Sequence, residues 1–200
     1  LRVTGREHPG RGEVLASQDP DGEAVVRDLI LGEHPTPVVF FKQMAQHVVQ
    51  LDRAFLGRCR NLLLIRDPER VITSFAKNVP DVNVADTGLP IQVELLESIL
   101  ADGGDPIVID STALLAAPEA VLRTLCGRLG LAFDPGMLSW PAGPKPEDGV
   151  WAEHWYASTH RSTGFESGHP STEPAPEHLR GVVAEARPLY ERLSEFALDA

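Results

Sequence analysis

The sequence has little cysteine and no long apolar run. Its two cysteines, Cys59 and Cys126, are too few for a disulfide framework and lack the spacing of a zinc site. No segment approaches the roughly 20 apolar residues that a membrane-spanning helix needs, and residues 1–12 are too polar for a signal peptide. These absences exclude a disulfide-stabilised mini-protein, and we expect a cytoplasmic protein that does not enter a membrane.

Basic residues are also scarce. The chain has 18 Lys and Arg residues against 29 Asp and Glu residues, so its formal net charge is −11. Nucleic acid and anionic membranes repel such a chain, and we expect neither as a partner. Because 42% of the 200 residues are hydrophobic, the chain can bury one sizeable core. The composition predicts a single domain over residues 1–200, with residues 1–22 as an exposed connection.

Apolar runs of strand length alternate with helical patterns along the chain. The runs at 38–41, 61–65 and 106–110 predict buried strands. Such alternation predicts an α/β fold, a parallel sheet flanked by helices on both faces that binds ligands at the carboxyl ends of its strands. Periodicity and stop signals predict helices at 23–31, 44–58, 68–79, 93–100, 118–129, 151–156 and 177–197.

Chemistry is indicated most strongly by the segment 62–75. Arg66 directly follows a predicted strand, and Asp67 and Pro68 suit the N-cap and the first position of a helix. This order places a guanidinium beside the positive end of a helix, where an anion, and best a phosphate, would bind. Ser74, further along the helix, is a candidate second donor. Alternatively, Arg66 pairs with an acid at the sheet edge and Ser74 is an ordinary surface serine.

The run Ile65-Arg66-Asp67-Pro68, followed by Ser74-Phe75, resembles the segment with which sulfotransferases hold the 3′-phosphate of 3′-phosphoadenosine-5′-phosphosulfate (PAPS). The resemblance implies a sulfotransferase fold of the P-loop NTPase-like type, with Arg66 and Ser74 binding that phosphate. Weaker similarities to bacterial members of the family follow in the same order at 40–47, 106–110, 118–129, 138–140 and 162–165.

One part of the family pattern is absent. Sulfotransferases have a P-loop-like turn after their first strand, where serine, threonine and backbone amides surround the 5′-phosphosulfate, and residues 1–37 contain no such turn. Because the chain begins with Leu1 rather than methionine, we expect this strand and its loop to lie upstream of the sequence.

The resemblance implies transfer of a sulfuryl group from PAPS to a hydroxyl or amine of a small-molecule acceptor, with release of adenosine 3′,5′-bisphosphate. His47 is the candidate base, because a neutral imidazole accepts a proton at physiological pH and many relatives carry a histidine shortly after a lysine. Lys42, at the end of the predicted strand, is the candidate for stabilising developing charge. Alternatively, His47 is an exposed helix histidine and Lys42 a solvated strand terminator.

Ser162, Thr163 and Gly164 resemble the late glycine loop that covers the nucleotide in relatives. The alternative for this segment is a plain surface loop. The histidines of the surrounding loops lack the spacing of metal ligands, so we expect no metal site.

Two other functions stay open at this stage. One is an ATP-dependent P-loop phosphotransferase, although the chain has neither a glycine-rich Lys-Ser/Thr loop nor an obvious magnesium carboxylate besides Asp110 at a strand end. The other is a non-catalytic member of the fold that binds a nucleotide or a partner. Nothing in the sequence specifies the acceptor or the oligomeric state.

Overall fold

A small parallel sheet forms the centre of a helix-rich chain. The computed structural model describes residues 10–48, 50–77, 81–165 and 174–199. Strands β1 (Leu62–Ile65) and β2 (Ile107–Asp110) pair in parallel, with Leu62 opposite Ile107 and Ile65 opposite Asp110. Both strands therefore end at the same edge of the sheet. This architecture is compatible with the α/β fold expected from the sequence, and it confirms the strands predicted at 61–65 and 106–110.

Helices precede, connect and follow the two strands. The α-helices are α1 (Arg11–Ser17), α2 (Gly22–Ala24, continued by a π-helical turn over Val25–Ile30), α3 (Pro68–Phe75), α4 (Leu89–Ala101), α5 (Ser111–Ala116), α6 (Pro118–Leu129), α7 (Ala152–Trp155) and α8 (Arg180–Ser194). Short 3-10 turns lie at Ala45–His47, Arg53–Arg58, Val84–Thr87, Pro135–Leu138, Thr159–Arg161 and Glu177–Leu179. Among the helices that the structure describes, none has both the length and the apolar character that crossing a bilayer requires.

The two strands contribute to two apolar clusters. Leu63, Ile65 and Val108 pack in one cluster with residues of α3, α4 and α8. Ile107 and Ile109 pack in the other with α5 and α6. Because successive side chains of a strand point to opposite sides, Val108 joins the first cluster while its neighbours join the second.

The end of the described chain returns to the sheet. Helix α8, predicted to continue to residue 197, ends at Ser194. Beyond it, Ala197 forms a parallel bridge with Val108, and the Leu198 N–H donates to the Val108 carbonyl at 2.9 Å. The last described residues thus extend the ladder beside β2.

The strand predicted at 38–41 was wrong. Val38 and Phe40 are 54% and 73% exposed, and no described strand pairs with this segment. An apolar run forms a buried strand only where a neighbouring ladder accepts its backbone groups, and the described residues supply none there.

The single helix predicted over 44–58 was also wrong. Gln50 has a φ of 57°, in the left-handed region, which ends any right-handed helix at that point. Asp52 then begins a separate 3-10 turn, Arg53–Arg58, by accepting a hydrogen bond from the Ala54 N–H at 3.0 Å. The helix predicted over 68–79 ends at Phe75, and residues 78–80 lie outside the described residues.

Candidate functional site

The sheet edge where β1 and β2 end carries several charged side chains. Arg66 and Asp67 follow β1 directly, and Asp110 is the last residue of β2. Helix α8 packs against both strands and brings Arg187 and Tyr190 to this edge.

Asp67 is fully engaged by the protein. Its Oδ1 accepts hydrogen bonds from the backbone N–H groups of Glu69, at 2.9 Å, and Arg70, at 3.4 Å, which makes it the N-cap of α3. Its Oδ2 accepts a hydrogen bond from Arg187 Nη1 at 2.7 Å. Burial alone would raise the pKa of Asp67, but the bond to Arg187, its positive charge and the two amide donors outweigh burial and lower that pKa.

Asp110 is engaged in the same way on the neighbouring strand. The Tyr190 hydroxyl donates a short hydrogen bond to Asp110 Oδ2, and the Thr112 N–H donates to Oδ1 at 2.6 Å. Burial and the bond to Asp110 raise the pKa of Tyr190 to about 12. The Arg187 guanidinium lies 5.7 Å from the centroid of the Tyr190 ring. We call Asp67, Arg187, Tyr190 and Asp110 the edge network.

Arg66 is exposed at this edge and makes no hydrogen bond or ion pair with another described residue. Reduced hydration of its guanidinium and the positive charge of Arg70 lower the pKa of Arg66, whereas the charge of Asp67 acts in the opposite direction. No described acid pairs with Arg66 at the sheet edge, since the adjacent carboxylate of Asp67 bonds Arg187 instead.

Ser74 lies near the carboxyl end of α3 and is exposed. Its hydroxyl makes no hydrogen bond within the described ranges, and no contact there joins it to Arg66. A role for Ser74 in binding phosphate therefore stays a prediction.

Lys42 and His47 precede β1. Lys42 is exposed, with its Nζ 3.7 Å from Met44 Sδ. His47 ends the 3-10 turn Ala45–His47 and is exposed, with its Nδ1 3.2 Å from Gln43 Oε1. The same turn is tied to a later part of the chain by the hydrogen bond from Gln46 Nε2 to the Asp86 carbonyl, at 3.4 Å.

The segment 162–164 is a bridged loop. Ser162 Oγ accepts a hydrogen bond from Trp140 Nε1 at 3.0 Å and donates one to the Thr159 carbonyl at 2.7 Å. The Trp140 N–H donates to the Thr163 carbonyl at 3.0 Å, and Gly164 forms an antiparallel bridge with Ser139. The Ser162 hydroxyl thus has two protein partners, and the binding of the nucleotide by Ser162, Thr163 and Gly164 stays a prediction.

An open cavity of about 410 Å³ lies at the start of α6. Its lining is mostly apolar and comprises Ala117, Pro118, Glu119, Ala120, Leu138 and Phe165. Phe165 links the cavity to the bridged loop, since its ring packs edge-on against Trp140 with centroids 5.4 Å apart. Arg66, Ser74, Lys42 and His47 do not line this cavity.

A family model described as a sulfotransferase domain matches residues 1–197. The chain belongs to this sulfotransferase family. Two curated proteins of Arabidopsis thaliana are similar to the sulfotransferase domain: branched-chain-amino-acid aminotransferase-like protein 1, 37% identical over 193 residues, and protein 2, 35% identical over 191. Each match covers 95% of the domain and 34% of the relative, so the chain spans about a third of the length of these relatives. No solved structure matches the chain.

Sequence reasoning missed the part that α8 plays at the edge of this sulfotransferase domain. Asp67 was recognised as a helix cap and Asp110 as a strand-end carboxylate, but their partners Arg187 and Tyr190 lie 120 and 80 residues further along the chain. The available signal was weak: an arginine and a tyrosine three positions apart on a helix predicted to cover the sheet.

Proposed function

We propose that this sulfotransferase domain transfers a sulfuryl group from PAPS to a hydroxyl or amine of a small-molecule acceptor. The observation that carries the proposal is Arg66, a guanidinium at the carboxyl end of β1 that no described acid binds. It stands one residue before Asp67, the N-cap of α3, so it lies beside the positive end of the helix dipole, which favours an anion. A bidentate donor beside a helix N-terminus fits a phosphate group.

The fold proposed for the complete protein is a P-loop NTPase-like parallel sheet with helices on both faces. The separate clusters formed by the alternating side chains of β2 support this arrangement. The presence of Cys59 and Cys126 as free thiols supports a cytoplasmic setting. Residues 1–200 would act as one domain.

In the proposed reaction, PAPS supplies the sulfuryl group. The bond between sulfur and the phosphate oxygen breaks as sulfur forms a bond to the acceptor oxygen or nitrogen. Arg66 and Ser74 hold the 3′-phosphate and so fix the nucleotide. His47 takes the acceptor proton, and Lys42 stabilises the charge that develops on the leaving phosphate oxygen. Ser162, Thr163 and Gly164, in the bridged loop, cover the nucleotide. No residue is assigned to the 5′-phosphosulfate.

A thermal-shift titration of the full natural chain tests whether Arg66 binds the 3′-phosphate. Adenosine 3′,5′-bisphosphate at about 100 times its Kd should stabilise the folded state by about 2.7 kcal/mol, and ATP should do little. Arg66→Ala should abolish the shift, because it removes the guanidinium that binds the phosphate. The control is Arg123→Ala, which removes an exposed arginine that pairs with Glu119 on α6.

Other outcomes of the titration would contradict the proposal. Stabilisation by ATP alone would favour a phosphotransferase, and an unchanged shift in Arg66→Ala would remove Arg66 from the site. Labelled-sulfate transfer onto candidate acceptors completes the test, because nucleotide binding without any transfer would indicate a non-catalytic member of the family.

A further inference from the structure

The ion pair between Asp67 and Arg187 joins residues 120 positions apart in the chain. Both side chains are partly buried, with 26% of Asp67 and 35% of Arg187 exposed. The ion pair is formed by one guanidinium nitrogen, Nη1, which lies 2.7 Å from Asp67 Oδ2. Since the other carboxylate oxygen caps α3, Asp67 has no oxygen left without a protein donor.

Asp67 is the immediate neighbour of Arg66, and its charge already acts on the Arg66 guanidinium. Without Arg187, one oxygen of this carboxylate would lose its partner. A free carboxylate beside Arg66 would attract the guanidinium to itself and would repel an approaching phosphate. Either effect would weaken anion binding at the sheet edge.

Tyr190 holds the pair in place. Its hydroxyl is bonded to Asp110 at the end of β2, and its ring lies beneath the Arg187 guanidinium, 5.7 Å from the centroid. Helix α8 therefore contacts both strand ends through polar side chains, and Arg187 is oriented from two sides, by a carboxylate and by an aromatic face.

We propose that Arg187 is a positioning residue for the phosphate site: by neutralising Asp67, it leaves Arg66 available to the 3′-phosphate of the nucleotide. This inference rests on the proposed function, because it requires that Arg66 binds the phosphate. Arg187 itself touches no ligand in this scheme.

The test is calorimetric titration of the full natural chain with adenosine 3′,5′-bisphosphate. Arg187→Gln should raise the Kd about tenfold, because it releases the Asp67 carboxylate beside Arg66. The double variant Asp67→Asn/Arg187→Gln should bind within about threefold of the wild-type chain, since asparagine still caps α3 but carries no charge. The matched control is Arg192→Gln, on the same helix, whose partners are Glu97 and Glu195.

Recovery of binding in the double variant shows whether Arg187 acts by neutralising Asp67 or only by supporting the fold. If the double variant binds as weakly as Arg187→Gln, the inference is overturned, because Arg187 then acts on the ligand or on folding directly. If Arg187→Gln binds like the wild type while Arg66→Ala does not bind, the inference is wrong and the proposed function stands. If Arg66→Ala itself binds like the wild type, both fail.

A second variant covers the case in which Arg187→Gln does not fold. Arg187→Lys loses the contact of the planar guanidinium with the Tyr190 ring but retains the positive charge that neutralises Asp67, and the pair uses a single nitrogen. We expect its Kd to stay within about threefold of the wild-type value. A tenfold weaker Kd in folded Arg187→Lys would overturn the inference, since neutralisation of Asp67 would then not be sufficient.

Discussion

The charged side chains at the sheet edge are of two kinds: carboxylates that are hydrogen-bonded within the protein, and an arginine that bonds no described acid. Asp67 and Asp110 each cap a helix with one oxygen and receive a bond from α8 with the other. Arg66, directly before Asp67, has no described acceptor. An arginine that bonds no described acid, beside carboxylates that are already hydrogen-bonded, is the arrangement expected where an external anion binds, because the neighbouring negative charges are already compensated.

The hydrogen bond from Tyr190 to Asp110 makes the stability of the protein depend on pH at high pH. A pKa raised to about 12 means that the fold favours the protonated hydroxyl. Its contribution to the free energy of unfolding is fully present below the ordinary pKa of about 10 and is lost as the pH rises through about 12. We expect the wild-type chain to lose stability relative to Tyr190→Phe between pH 10 and pH 12, as measured by urea unfolding. Parallel profiles for the two chains would contradict the role of the bond to Asp110.

His47 is exposed on the turn before β1, so its replacement should disturb the fold little. If it takes the acceptor proton, His47→Ala should lower the rate of sulfuryl transfer by about 100-fold or more and leave the Kd for adenosine 3′,5′-bisphosphate unchanged. The rate is measured by labelled-sulfate transfer. His178→Ala, at another exposed histidine, is the control. Equal rates in both variants would remove His47 from the mechanism.

At the scale of elements, α8 supports the site and the bridged loop closes another part of the surface. Gly181 and Gly164 probe these two elements. A Cβ at Gly181, in the first turn of α8, would meet nothing within 4 Å, whereas one at Gly164 would lie 3.0 Å from the Leu138 carbonyl oxygen.

Gly181→Ala should therefore raise the free energy of unfolding by about 0.5–1 kcal/mol, because alanine reduces the freedom of the unfolded chain and favours a helix. Gly164→Ala should lower it by about 1–3 kcal/mol, since the bridge to Ser139 must shift to accommodate the methyl group. Chemical denaturation of both variants measures the difference. A stabilised Gly164→Ala would show that the bridge is not held tightly.

Local signals explain which elements the sequence predicted. Helix α3 has its cap and its proline at adjacent positions, and β2 is a compact apolar run before an aspartate, so both could be read without knowing the fold. The segment 38–41 has the same apolar character as β2 but lacks a described strand beside it. The position of Arg187 was not predictable either, because its partner is fixed by how α8 packs and not by any neighbouring residue.

At the scale of the whole molecule, stability comes from helices packed on a very small sheet. Leu96 of α4 is 0% exposed in the larger cluster, while Phe40 is 73% exposed. Apolar side chains thus contribute very unequally to the free energy of unfolding.

We expect Leu96→Ala to lower the free energy of unfolding by about 2–5 kcal/mol, because it leaves a cavity in a packed cluster. Phe40→Ala should change it by less than about 0.5 kcal/mol, as is usual for exposed positions. Urea unfolding of the two variants measures both values. A large loss in Phe40→Ala would indicate that the segment 38–41 is buried in the folded protein.

The 120-residue span of the Asp67–Arg187 pair also sets an order of events during biosynthesis. Translation proceeds from the amino terminus, so β1 and α3 leave the ribosome long before α8 is made. Until then, Asp67 has only the amides of its own helix as partners. A nascent chain would therefore complete this ion pair only after α8 has left the ribosome, and premature termination before α8 would yield a fragment in which the Asp67 carboxylate lacks Arg187.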